Sequence, residues 1–68
     1  MTSEISVNGR DEPLSAATLG ELLQQRGITG GRGVAVAING TVIPSGVWGD
    51  RALLAGDRVE IVRPFGGG

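Results

Sequence analysis

The chain has 68 residues, six arginines against seven acidic residues for a net charge of -1, and neither cysteine nor histidine. A chain this short makes one modest core without disulfides, and a zinc site would have only carboxylates to draw on. The commonest side-chain nucleophile, general base and transition-metal ligands are missing together, which argues against a free-standing enzyme.

The charges are spread without blocks, so no basic patch points to nucleic acid or to an acidic membrane surface; the expected partner is another protein. The start, Met-Thr-Ser-Glu-Ile-Ser, lacks a basic segment followed by an apolar run, and no stretch approaches the roughly 20 apolar residues that cross a bilayer. A cytoplasmic location is the expectation. All six basic residues are arginines, so a terminus acting as a conjugating tag would find no lysine for building chains on itself, and a carrier is favoured over a polymerising modifier.

In chain order, residues 4–7 alternate in the manner of a half-buried strand, with Ile5 and Val7 on one side. Asn8-Gly9 supplies the two positive-φ positions of a type I′ turn, which predicts a hairpin returning through residues 10–14, short or irregular because of Pro13. A helix is predicted over 19–26, with Thr18 as N-cap, Glu21 completing a capping box, and Gly27 as the stop. Leu19, Leu22 and Leu23 form its apolar stripe.

A glycine-rich connector at 30–33 leads to a strand over 34–38, with bulky residues on one face and Ala35 and Ala37 on the other. Asn39-Gly40 turns it back into a short strand at 41–43 that ends at Pro44, which lacks the amide a ladder needs. Residues 45–50 are irregular or one helical turn. After Leu53, Leu54 and an Ala-Gly-Asp turn, residues 58–62 make the last strand, with Val59 and Ile61 inward.

The order strand, strand, helix, strand, strand, strand predicts an α+β domain: a mixed sheet of about five strands, the first two from one hairpin, with one helix across it. The first and last strands are expected side by side in parallel at its centre. Ile5, Val7, Val36, Ile38, Val59, Ile61 and the helix leucines would share the core. The domain is expected to occupy residues 1–62, leaving 63–68 as a flexible glycine tail.

That tail, Arg63-Pro64-Phe65-Gly66-Gly67-Gly68, carries the chemistry. Six extended residues reach on the order of 20 Å, enough to enter a partner's active site. Gly66 and Gly67 lack the Cβ that would obstruct a narrow channel. The cargo site is then the carboxylate of Gly68, which is ionised at neutral pH and unreactive towards nucleophiles until activated. Adenylation by a partner holding ATP and Mg²⁺ would supply AMP as leaving group, and a persulfide sulfur displacing it would lead to a thiocarboxylate. The chain itself binds no cofactor in this reading. The competing reading is a glycine-rich terminus without chemistry, and the run's position directly after a strand weighs against it.

The segment Val-Ala-Val-Ala-Ile-Asn-Gly-Thr-Val-Ile-Pro-Ser-Gly-Val-Trp at 34–48, Leu-Ala-Gly-Asp at 54–57 and the terminal Gly67-Gly68 resemble the ThiS family of sulfur carriers in thiamin biosynthesis. The likeness spans nearly the whole chain and resides in the order and spacing of these parts. It implies a ubiquitin-like β-grasp fold and activation of Gly68 by an E1-like adenylating enzyme. It further implies sulfur from a cysteine desulfurase or another persulfide donor, and delivery to thiazole synthase. The chain departs from the pattern at Gly66, where relatives often carry a larger residue, and in the connector at 30–33. The small subunit of molybdopterin synthase, usually a longer chain with the same fold and terminal glycine, is the nearest alternative; an inert β-grasp interaction module is another.

Trp48 is read as capping the core, with an interface role as the lesser alternative. Phe65, Val62 and Arg63 are candidate partner contacts. Ala35, Ala37 and Val62 are candidates for a small apolar docking patch ringed by Arg58, Glu60 and Arg63, with incidental exposure as the alternative. Asp57 is a turn residue rather than an acid catalyst.

Overall fold

A computed structural model describes residues 3–30 and 32–63. Strands β1 (Glu4–Val7) and β2 (Arg10–Pro13) form the first hairpin, followed by helix α1 (Leu19–Gln25). Strands β3 (Ala35–Ile38) and β4 (Thr41–Val42) form the second hairpin; a 3-10 helix over Ser45–Asp50 and strand β5 (Arg58–Val62) complete the chain. The sheet order is β2-β1-β5-β3-β4. The last strand is therefore the middle one, parallel to β1 and antiparallel to β3.

Both Asn-Gly turns take the conformation their residues dictate: Asn8 and Gly9 have φ of 51° and 85°, Asn39 and Gly40 of 53° and 84°. Pro13 lies opposite Glu4 as the last residue of β2, an edge position where a missing amide costs no ladder bond. The Leu14 N–H adds one more bond to Ser3 O at 3.0 Å, so the return strand is short but regular.

Helix α1 begins at Thr18, whose Oγ1 accepts the Glu21 N–H at 3.2 Å. The Glu21 carboxylate accepts the Ala17 N–H at 2.9 Å, one residue earlier than a reciprocal capping box requires. Beside it, Leu53 N–H donates to Ala17 O and Leu19 N–H to Arg51 O, an isolated antiparallel bridge between Thr18 and Ala52 that ties the helix start to the segment before β5. The helix ends one residue before the predicted position. Gly27 at φ 78° donates to Gln24 O, and the buried Ile28 donates to Leu23 O, the Schellman arrangement.

The core lies between the sheet and α1. Ile5, Val7, Val36, Ile38, Val59, Ile61, Leu19, Leu22 and Leu23 are all buried, as the alternation predicts. Ala16, Ile28, Leu53 and Trp48 join them from segments without periodicity. Trp48 is a core residue whose indole N–H donates to Ile43 O at 2.9 Å. Residues 45–50 are an ordered 3-10 helix packed on α1, and Gly20 makes that approach possible: a Cβ there would stand 3.1 Å from Gly49 Cα. Strands β3 and β4 are each one residue shorter than predicted, although the Ile43 N–H still reaches Val36 O at 2.8 Å. Among the described residues no helix is long and apolar enough to cross a membrane.

Candidate functional site

Strand β5 carries alternate residues to opposite faces. Val59 and Ile61 enter the core, while Arg58, Glu60 and Val62 line the face turned away from α1. The register extends that outer face sideways: Ala37 lies opposite Glu60, Ala35 opposite Val62, and Val42 opposite Ala37. Ala35, Ala37, Val42 and Val62 thus form one apolar strip beside the C-terminal end of β5. Val42 is 70% and Val62 65% exposed, which is unusual for large apolar residues in paired strands. With Val36 and Glu60 they line a shallow depression of about 230 Å³. The β1 and β5 side of the same face is more mixed, a groove lined by Ser6, Gly9, Gly40, Arg58, Val59 and Glu60.

The start of β5 is fastened by Asp57, which is buried. Its Oδ2 accepts the Leu54 N–H at 2.9 Å and its Oδ1 accepts Asn39 Nδ2–H at 3.0 Å, with the Arg51 guanidinium 3.7 Å away. Ser6 N–H donates to Asp57 O and Gly56 N–H to Glu4 O, tying the turn to β1. All of Asp57's partners are structural, which matches its reading as a turn residue. Away from this face, Glu12 of β2 pairs with Arg26 at the end of α1, joining the edge strand to the helix.

Of the predicted site residues, the structure places Val62 in the apolar strip and Arg63 exposed immediately after it. Phe65, Gly66, Gly67 and Gly68 lie outside the described residues. Val42 was missed by the sequence reading, which treated it only as part of a short partner strand; its pairing opposite Ala37 brings it onto the patch. Among the described residues there is no cluster of three or more carboxylates placed to hold a metal ion.

The ThiS family model matches residues 3–68 of this chain. Among solved structures the chain is similar to the crystal structure of the thiamine biosynthesis protein ThiS from Geobacter metallireducens, at 28% identity and a TM-score of 0.75. That match covers 96% of this chain and 99% of the other. Comparison with curated proteins finds no match.

Proposed function

This chain belongs to the ThiS family, the sulfur carriers of thiamin biosynthesis, and we propose that its cargo site is the carboxylate of Gly68. Its five-stranded sheet and single helix are the β-grasp fold. The observation that carries the proposal is the place of β5. The strand leading to the terminus is the middle one, bonded to β1 and β3, and it ends beside the exposed apolar strip. Residues 63–68 therefore follow the central strand of the sheet, which is paired on both sides, next to a surface suited to docking.

The cycle begins on an E1-like adenylating enzyme, with Ala35, Ala37, Val42 and Val62 against the partner and Phe65 and Arg63 adding contacts at its entrance. A Gly68 carboxylate oxygen attacks the α-phosphorus of ATP, pyrophosphate leaves, and Mg²⁺ bound by the partner offsets the phosphate charge. A persulfide sulfur, supplied through a cysteine desulfurase, attacks the acyl carbon and AMP leaves. A second thiolate then cleaves the S–S bond, becoming a disulfide and leaving a thiocarboxylate on Gly68. Gly66 and Gly67 allow the backbone into the partner's channel, first of the activating enzyme and then of thiazole synthase, which takes the sulfur. The chain supplies recognition and the acyl group; ATP and Mg²⁺ belong to the partner.

The test is ATP–pyrophosphate exchange by the adenylating enzyme. Full-length chain is expected to support exchange, and a chain lacking Gly68 to support none at an unchanged melting temperature, because a terminal glycine contributes little packing. Equal exchange with and without Gly68 would refute the assignment.

A further inference from the structure

Asn8 and Asn39 each open a left-handed turn, and each also turns its side chain onto β5. Asn39 holds the beginning of the strand. Its N–H donates to Arg58 O at 2.8 Å, its Oδ1 accepts the Arg58 N–H at 2.9 Å, and its Nδ2 donates to Asp57 Oδ1. Asn8 holds the other end. Its N–H donates to Val59 O at 2.8 Å, its Oδ1 accepts the Ile61 N–H at 2.7 Å, and its Nδ2 donates to Ile61 O at 3.2 Å.

The register shows why a side chain is needed there. β1 pairs with β5 at Ser6 opposite Arg58 and Val7 opposite Val59, and then turns away into the hairpin. Its backbone stops short of Ile61, whose N–H and C=O on that side would otherwise lack a protein partner. A carboxamide offers one acceptor and a donor in one plane, the functions a neighbouring strand would present, so Asn8 stands in for the missing residue of β1. Aspartate is equally at home in left-handed turns, but when ionised it only accepts.

We infer that Asn8 is a positioning residue for sulfur transfer: it keeps β5 paired on its β1 side as far as Ile61 and so fixes the point from which residues 64–68 depart. The inference rests on Gly68 being the cargo site. Without the amide, pairing on that side ends at Val59, and residues 60–62 are held from the β3 side alone, where Val62 still lies opposite Ala35. Val62 belongs both to the root of the tail and to the docking strip, so the same loss loosens the point of departure of the terminus beside the patch.

The matched substitutions are Asn8→Gly and Asn39→Gly. Glycine keeps the positive φ at either turn; Asn8→Gly removes two side-chain hydrogen bonds to Ile61, and Asn39→Gly removes one to Arg58 and one to Asp57, the residue before β5. Amide exchange of the isolated, isotopically labelled chain comes first. Asn8→Gly is expected to speed exchange at Ile61 about 10-fold, while Asn39→Gly speeds it at Arg58 and leaves Ile61 near the wild-type rate. Asn8→Asp, which retains the acceptor for the Ile61 N–H, is expected to fall between wild type and Asn8→Gly, and serves if the glycine variant unfolds.

Adenylation by the E1-like enzyme is the second arm. The expected result is a kcat/KM at least about 5-fold lower for Asn8→Gly than for Asn39→Gly, under conditions where both are fully folded. Unaltered Ile61 exchange in Asn8→Gly, or equal kcat/KM for the two variants while wild type turns over, overturns the positioning role alone. A wild-type chain that a proven active enzyme never adenylates overturns the Gly68 assignment and this proposal with it.

Discussion

Replacing Val42 and Val62 together by threonine tests whether the apolar strip docks a partner. Threonine keeps β-branching and nearly the same volume, so both strands retain their local preference. Full burial of a valine contributes about 1.5 kcal/mol. Val42 and Val62 are 70% and 65% exposed, so each has about 1 kcal/mol still to gain on docking. The pair has about 2 kcal/mol, or roughly 30-fold in Kd. Each exposed substitution shifts stability by about 0.5 kcal/mol at most, so the pair shifts it by about 1 kcal/mol at most, equivalent to about 4 to 8 °C in a domain of this size. The expected outcome is a roughly 30-fold weaker Kd for the adenylating enzyme, measured by calorimetry, beside a melting temperature within about 8 °C of wild type. A Kd unchanged within about twofold would show that this face does not dock that enzyme.

Asp57→Ala removes a buried carboxylate that accepts from Leu54 and Asn39 and faces Arg51. Urea denaturation is expected to show a loss of about 2 to 3 kcal/mol, and a loss below about 0.5 kcal/mol would mean the turn is held by its backbone alone. Trp48→Phe leaves Ile43 O without the indole N–H and is expected to lower stability by about 1 kcal/mol or more in the same assay; no change would refute that bond's contribution. Gly20→Ala is expected to fall short of the roughly 1 kcal/mol that alanine gains over glycine at an open helical position, because its Cβ meets Gly49 at 3.1 Å. A full gain would show that the helix and the 3-10 segment are less closely packed than described.

The sheet and its central parallel pair were legible because period-two alternation marks Ile5, Val7, Val36, Ile38, Val59 and Ile61, and because Asn-Gly admits few turns besides type I′. Helix α1 was legible from its leucine spacing and from Thr18 and Gly27 at its ends. Residues 45–50 were only half legible, since Ser-Gly-Val-Trp-Gly-Asp is compatible with an irregular segment or a single helical turn, and packing on α1, permitted by Gly20, selects the 3-10 helix. Ala16, Ile28 and Leu53 enter the core from connections, where no period announces burial. At the candidate site, Val62 was visible from alternation along β5, whereas Val42 required the register across β3 and β4. The second use of Asn8 was hidden for a related reason: the turn accounts for an asparagine completely, and only the offset between β1 and β5 reveals that its amide has a further task.

Sulfur on Gly68 is measured most directly by intact mass, followed by fragmentation of the C-terminal peptide, after incubation with ATP, Mg²⁺, an E1-like adenylating enzyme and a persulfide donor. The expected product has one oxygen of the terminal carboxylate replaced by sulfur, located on Gly68. An unchanged mass, with an adenylating enzyme shown to load another carrier under the same conditions, would contradict the assignment of this terminus as the sulfur-bearing group.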